Sequence, residues 1–411
     1  MILIAGAGIG GLTLALSLHS LGIPCRIFEA ADEIRPLGVG INVQPHAIKE
    51  LDRLGLIPQL DRTGIRTAEV AYFSAHGKKI WSEPRGEAAG YNWPQFSIHR
   101  GHLQMMLLDE ARKRLGADAI RTGAMVAGWT ETDTGIEVHL EGGETIAGDL
   151  FIAADGIHST ARAHLYPNEG PPLWAGVLMW RATTWSPPFL SGKTMAMAGH
   201  SALKFVCYPI AERDGPDGPE VLINWIADVK FPSDHAWKRE DWSRKGDVAD
   251  LEPRFGTWNF PWLNIADVIA RAPEVLEWPM VDRDPLPAWT HGRMTLLGDA
   301  AHPMYPIGSN GASQAILDAR VLVREIRDKG MAPAALTAYE AERLPVTAKV
   351  VLANRDEGPD KVMDIVHQRA PDGFAQLEDV ITQNELEEIA ARYKVTAGMD
   401  IDRLNTSPPI L

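Results

Sequence analysis

Cysteine is nearly absent: Cys25 and Cys207 are the two in a chain of 411 residues. Their separation fits neither a metal-ligand spacing nor a Cys-x-x-Cys pair, which argues against a disulfide scaffold, a zinc module or any bound metal. The expectation is two reduced thiols in a cytoplasmic protein. Positive charge is also short. Lys and Arg number 40 against 54 Asp and Glu, a net charge of −14, and no basic run occurs. Nucleic-acid binding wants clustered cations, so no nucleic-acid partner is expected. The acidic balance serves solubility. No apolar run is long enough to span a bilayer, so no membrane partner is expected either. The apolar start of the chain is broken by Gly6, Gly8, Gly10 and Gly11, and the first cation is Arg26. A signal peptide instead begins with basic residues. No internal repeat and no low-complexity tract appears.

What is present reads as an α/β protein of two to three domains. "MILIAGAG" is a short buried strand entering a turn. "GGLTLALSLHSLG" has helical spacing and ends at Gly22, and "CRIFEA" is a second strand. Strand, turn, helix and strand within thirty residues make a parallel unit with a right-handed crossover. "QPHAIKELDRLG" and "HRGHLQMMLLDEARKRLG" read as helices, and "GIEVHLEGG" and "ETIAGDLFIAADG" as strands. From Trp174 the texture changes. "GVLMWRATT", "LKFVCYPI" and "VLINWIADV" are short, aromatic and β-branched, as antiparallel strands are. Ten of the thirteen tryptophans fall between Trp174 and Trp289, enough to build one aromatic-rich sheet that could wall a flat ligand as well as pack a core. "HGRMTLLGDAAH" returns to the buried-strand pattern. "GASQAILDARVLVREIRDKG" is a long helix, and the remainder is helical and polar-faced.

Three glycine-bearing turns carry chemistry. Gly6-Ala7-Gly8-Ile9-Gly10-Gly11 is G-x-G-x-x-G between a strand and a helix. Gly6 permits the tight turn, Gly8 lets backbone approach a pyrophosphate, and Gly11 allows close helix–sheet packing. The helix start then offers free N–H groups to phosphates. Glu29 ends the second strand, eighteen residues after Gly11, where a carboxylate can accept from ribose hydroxyls. Together these point to a bound dinucleotide, without choosing between NAD and FAD. "AADGIHSTAR" places Asp155-Gly156 after an apolar strand, with Ser159 and Arg162 following; alone, it could be an ordinary strand-to-helix turn. "LLGDAAHPMYPIGSNGASQAILD" puts Asp299 after a turn at Gly298, with a second helix start near Gly311.

Taken together, the three turns resemble the class A flavoprotein aromatic hydroxylases, the para-hydroxybenzoate hydroxylase family, over residues 1 to 355. "EIRPLGVGIN", "WSEPRG", "SIHRGHLQM" and "MVDRDPLPAW" resemble its pyocyanin-forming phenazine branch. The resemblance implies a Rossmann-like FAD-binding domain (1–72, 97–166 and 282–355) with an inserted antiparallel β-sheet substrate domain (73–96 and 167–281). A C-terminal helical segment (356–411) follows. It implies that the first turn, including Ile9 and Gly10, holds the ADP part of FAD with Glu29 and Ala30. Arg35, Gly38 and Gly40 would lie in a loop passing FAD, Arg100 would contact FAD, and Val126 would offer backbone to the adenine. Arg100 could equally be a solvated charge near a helix cap. Asp155 and Gly156 would lie near FAD and bear on NAD(P)H use. Asp299 would bind the ribityl chain. Gly308, Gly311, Ala312 and Ser313 would face the flavin ring, the N–H groups of Ala312 and Ser313 acting as donors to it. The Pro306 carbonyl would face the reacting part of the substrate. His302 lacks a partner at ligand spacing and reads as structural.

The implied activity is an FAD-dependent monooxygenase using NAD(P)H and O2. It would hydroxylate a small aromatic or N-heteroaromatic, phenazine-like, carboxylated or not, through a flavin C4a-hydroperoxide. Trp180, Tyr208 and Trp225 are candidates for lining the substrate pocket, each weighed against plain core packing. Decarboxylative hydroxylation or N-oxygenation on the same flavin chemistry is an alternative. From another class, so is a non-catalytic flavin-binding redox sensor. A flavin-dependent halogenase would carry Trp-x-Trp-x-Ile-Pro, which the sequence lacks. A homodimer is left open.

Overall fold

A computed structural model describes residues 1–232, 235, 244–355, 360–396 and 400–411, without the side chains of residues 390–396. Its organising element is a six-stranded sheet in the order Thr290–His291, Met294–Leu296, Leu150–Ala153, Ile2–Ala5, Cys25–Phe28, Ile120–Arg121. All neighbours are parallel except the first pair. The strands Ile2–Ala5 and Leu150–Ala153 are buried at every position, which is why their sequences are unbroken apolar runs rather than alternations. Helix Ile9–Ser20 supplies the first crossover. Gly22, with φ of 70°, lets the chain turn out of it.

The second layer is a seven-stranded sheet in the order Val275–Asp282, Leu173–Ser186, Gly218–Lys230, Leu203–Gly215, Thr194–His200, Glu69–Phe73, Lys79–Pro84. Its strands are antiparallel except for Glu69–Phe73 against Thr194–His200. Both faces are covered. One carries Trp180, Phe205 and Trp225 and packs under the short helices Glu252–Phe255 and Ile265–Ala270. The other carries Tyr72, Met197, Val206 and Tyr208 toward the helix Lys361–Arg369, and Met179, Trp278 and Met280 toward Val39 and Tyr305. The C-terminal residues are therefore part of this layer's packing, not a detached tail.

Two expected limits shift. The sheet layer begins at residue 69 rather than 73, because Glu69–Phe73 is one of its inner strands. Gln95–His99, cut by the expected limit at 96, is the middle strand of a small sheet with Gly40–Val43 and Gly64–Thr67. The chain returns to the first layer through the strands Thr290–His291 and Met294–Leu296, and the helices Gly311–Lys329 and Pro333–Arg355 follow. Cys25 and Cys207 are both free and buried. Among the described residues no helix is long and apolar enough to cross a membrane. Trp237 and Trp242, two of the ten clustered tryptophans, lie outside the described residues.

Candidate functional site

Because Ile2–Ala5, Leu150–Ala153 and Met294–Leu296 run parallel, the turns that follow them open on one edge of the sheet, where ligands of such sheets sit. One backbone bond past each strand stitches the turns together. Gly6 N–H donates to Phe28 O (2.8 Å), Ala154 N–H to Ala5 O (2.8 Å) and Leu297 N–H to Ala153 O (2.9 Å). The three sequence motifs are thus one constellation. Gly6 has a φ of 96°, and a Cβ there would lie 2.3 Å from Ala154 O, beside Asp155. Only glycine permits both the turn and that approach. Gly11 backs onto Gly6 O, and Gly10 onto Leu297 and Ala315, so the two helices that start here are in contact. At Gly8 nothing lies within 4 Å of where a Cβ would be. Ile9 is buried as the first residue of its helix.

Both helices, Ile9–Ser20 and Gly311–Lys329, begin without a side-chain cap and without an acidic residue in the first turn. Their leading N–H groups and positive dipole ends are left for an external anion. Glu29 caps the neighbouring strand and accepts from Ala7 N–H (2.8 Å) and Ala31 N–H (2.9 Å), which fixes its carboxylate against the glycine turn. Ala30 is exposed beside it. Val126 is buried at the start of its strand, two residues beyond Ala124, whose N–H bonds Glu29 O.

Asp299 is exposed between buried Gly298 and Ala300. A Cβ on Gly311 would stand 4.0 Å from Asp299 Oδ1, which places this carboxylate at the second helix start. Surrounding protein raises its pKa, with His302 and Arg100 pulling the other way. Arg100, the first residue of its helix, packs its side chain under Gly38. Arg35 is exposed and paired with Glu33 at 2.7 Å.

A hub sits behind the cleft. Asp318, fully buried, accepts from His302 Nε2 (2.5 Å), Arg343 Nε (2.7 Å) and Gly298 N–H (3.2 Å). Burial works to raise its pKa, but His302 and Arg343 win and hold it below the ordinary value. His302 is buried and spends Nε2 on Asp318. Arg162 of the second motif donates to Ala300 O (3.1 Å) and Ala301 O (2.9 Å), and also pairs with Glu169. It ties the Asp155-Gly156 turn, where Gly156 has φ of 79°, to the Asp299 turn. Asp155 Oδ2 accepts Ala161 N–H, and burial raises its pKa. Sequence reasoning missed Asp318 and Arg343. The available signal was an acid among the buried positions of the long helix.

Pro306 is exposed, and its carbonyl accepts Ser309 N–H (3.1 Å), closing a turn and leaving one lone pair free. Gly308 and Ser309 both have positive φ, 72° and 57°, just before the helix start. Ala312 is half-buried, and Ser313 Oγ accepts Gln44 N–H (3.0 Å).

The large sheet closes the cleft from the other side. Gly40 is clasped by it: its N–H donates to Asn224 Oδ1 (2.7 Å), and its carbonyl accepts from Tyr208 OH (2.9 Å) and Arg181 Nη2 (3.0 Å). A Cβ at Gly40 would sit 2.7 Å from the Asn224 side chain. Tyr208 therefore faces the cleft side but spends its hydroxyl on the loop. Trp180 and Trp225 do not line the cleft. They lie on the opposite face in the core under the helical cover, with Trp225 Nε1 donating to Thr184 Oγ1 (3.0 Å). The cleft-side face instead presents Met179, Trp278 and Met280 together with Tyr305. Beside them a cavity of about 110 Å3 is lined by Tyr305, Ile307, Met280, Lys204, Asp228 and Asp360. Lys204 Nζ pairs with Asp360 (2.6 Å) and Asp228 (3.4 Å); burial works against its charge, but the two carboxylates outweigh it and raise its pKa.

Open space at Gly8, two uncapped helix starts and the Asp299 carboxylate near the second are a set of anion-binding N–H groups and hydroxyl acceptors that fits a dinucleotide such as FAD.

A family model describing an FAD binding domain matches residues 1–195 and 266–354. The chain is 48% identical to the phenazine 1,6-dicarboxylic acid hydroxylase PhzS of Lysobacter antibioticus, covering 86% of this chain and 89% of that one. It is 33% identical to the aurachin C monooxygenase/isomerase of Stigmatella aurantiaca, over 84% and 85%. The crystal structure of Klebsiella pneumoniae HpxO complexed with FAD and uric acid superposes with a TM-score of 0.75 at 25% identity, covering 99% and 97%. The three stitched turns and these likenesses agree: the chain belongs to the FAD-binding-domain family and, within it, to the FAD-dependent aromatic monooxygenases.

Proposed function

We propose that this enzyme hydroxylates a flat, carboxylated N-heteroaromatic ring of the phenazine-carboxylate class, using NAD(P)H and O2. The observation that carries the reading is the pairing of the FAD cleft with the face that closes it. Met179, Trp278, Met280 and Tyr305 supply an apolar wall, and polar groups stand at its margins. The 48% identity to a hydroxylase of a phenazine dicarboxylate supports the substrate class. FAD, when bound, supplies the electron transfer from NAD(P)H and the activation of O2. The protein's own contributions are positional. The helix start at Gly311 would face the cofactor ring and offer the N–H groups of Ala312 and Ser313 to negative charge on it. Asp299 would hold the ribityl chain and Glu29 the ribose hydroxyls. Pro306 directs its remaining carbonyl lone pair toward the substrate side, where it would accept from the hydroxyl that the reaction installs on the ring. The buried wall excludes water.

The test is NAD(P)H consumption by the purified holoenzyme with phenazine-1,6-dicarboxylate, read with product mass. A gain of one oxygen with substrate-stimulated turnover is expected. Loss of a carboxyl with gain of a hydroxyl would shift the reading to decarboxylative hydroxylation. No stimulation by any aromatic acid would favour a redox sensor.

A further inference from the structure

The turn that carries Pro306 is held from outside. The peptide between Tyr305 and Pro306 has no N–H, because its second residue is proline, so the Tyr305 carbonyl is its one polar handle. Asn354, fully buried, takes that handle: its Nδ2 donates to Tyr305 O at 3.1 Å. The Pro306 ring keeps φ at −70°, so the tilt of this peptide plane carries through to the Pro306 carbonyl. The rest of the turn is under strain. Ser309 has a φ of 57° without being glycine, and Gly308 O is gripped by Gln44 Nε2 (3.4 Å) and Asn310 Nδ2 (3.2 Å). Asn354 and Arg355 are the last two residues of the helix Pro333–Arg355. Arg355 grips Asp282 with Nε (2.7 Å) and Nη2 (3.1 Å), and the Tyr305 hydroxyl bonds the same buried carboxylate. Asp282 ends the strand Val275–Asp282, which carries Trp278 and Met280. One helix end thus joins the Pro306 turn to the apolar wall, and Asn354, Arg355, Tyr305 and Met280 line the same cavity.

We propose that Asn354 is a positioning residue for oxygen transfer: by holding the Tyr305 carbonyl it aims the Pro306 carbonyl and fixes the turn relative to the wall. This rests on the reading above that Pro306 faces the substrate. Asn354 acts through the turn and not on the reacting atoms. Productive turnover consumes NAD(P)H, O2, a proton and the aromatic substrate, and yields NAD(P)+, the hydroxylated ring and water. When the ring is out of place, NAD(P)H, O2 and a proton yield NAD(P)+ and hydrogen peroxide instead. A loosened turn leaves electron transfer intact and shifts turnover to the second outcome.

Wild type, Asn354→Leu and Asn354→Ser are compared. Leucine keeps the volume without the donor. Serine is too short to reach, and it leaves polar room beside the cavity should leucine prevent folding. Hydroxylated product and hydrogen peroxide per NAD(P)H are measured on holoenzyme with phenazine-1,6-dicarboxylate, alongside FAD affinity. Amide hydrogen exchange of residues 304–311 is followed by mass spectrometry in the apo-protein. Both variants should lose product per NAD(P)H about fivefold or more, with peroxide making up the difference, and exchange in 304–311 should quicken roughly tenfold, the loss of one buried hydrogen bond. The NAD(P)H oxidation rate and FAD affinity should stay within about threefold. A merely structural role would lower the melting midpoint without moving the product-to-peroxide ratio. An unchanged ratio would overturn the proposal, and so would a changed ratio with unaltered exchange in 304–311. If the diacid fails to stimulate the wild type, the substrate reading fails; faster exchange in the variants then supports the brace, and unaltered exchange removes it.

Discussion

Asp299 and Glu29, the two carboxylates of the proposed FAD site, differ in how much of their bonding capacity the protein already uses. Among the described residues no hydrogen bond fixes the Asp299 carboxylate, and the charges of His302 and Arg100 act on it. Asp299→Ala should therefore weaken FAD binding by about 1.5–3 kcal/mol, the range for hydrogen bonds to a charged group, while the apo-protein unfolds at the wild-type midpoint. Flavin fluorescence quenching on titration measures it, and unchanged affinity would remove Asp299 from the ribityl role. Glu29 is already bound by Ala7 N–H and Ala31 N–H. Its loss should do two things: release the glycine turn and forfeit the ribose contact. Glu29→Ala is expected to weaken FAD binding by about 1–3 kcal/mol and, unlike Asp299→Ala, to lower apo-protein stability as well. Identical behaviour of the two variants in the apo-protein would show that the turn does not depend on Glu29.

At the level of elements, the returning strand and helix work because of Asp318. It joins the turn at Gly298, the ring of His302 and, through Arg343, the next helix Pro333–Arg355. Asp318→Asn leaves Arg343 buried at 5% exposure with Gln314 as its remaining side-chain partner. Breaking such a pair costs about 3–5 kcal/mol, seen as a lower denaturation midpoint and poor FAD retention. The proton linkage has a definite sign. The folded pKa of Asp318 lies below its unfolded value of about 3.9, so its contribution is present above that pH and fades as pH falls through the folded value. The acid limb of the stability curve should flatten in the variant; an unchanged acid limb would show that Asp318 does not titrate there. The parallel elements were legible in the sequence because strands buried on both faces are unbroken apolar runs, and the turns after them must carry glycine. The large sheet's orientation was not. Both its faces are buried, so no polar alternation marks the outside, and a bulge between Trp174 and Leu178 shifts the register. That is why Trp180 and Trp225 read as pocket residues and lie on the far face, while Arg181, one position from Trp180, faces the cleft.

For the whole molecule, the price of joining two layers is a set of titratable groups buried where they meet, and His46 exposes that cost to measurement. It sits in the helix Pro45–Arg53 at 5% exposure, two residues after Gln44, whose backbone N–H reaches Ser313. Neither ring nitrogen has a partner among the described residues. Burial, and then the charge of Arg343, lowers its pKa from 6.5 to about 4. The unfolded chain thus binds a proton that the folded chain refuses, and stability must fall as pH drops from about 6.5 toward 4. The size follows from the two values: about 2 kcal/mol lost between pH 8 and pH 5, and about 3 kcal/mol once pH is below both. His99, pushed down to about 4 by burial and by His102, adds a loss of the same sign. Because His99 titrates in wild type and variant alike, His46→Leu isolates the other group. Leucine fills a comparable volume without a nitrogen to protonate. Urea unfolding at pH 8 and pH 5 should therefore show the variant losing about 2 kcal/mol less than wild type over that interval. Equal losses in the two proteins would mean that the His46 ring finds a proton partner in the folded state.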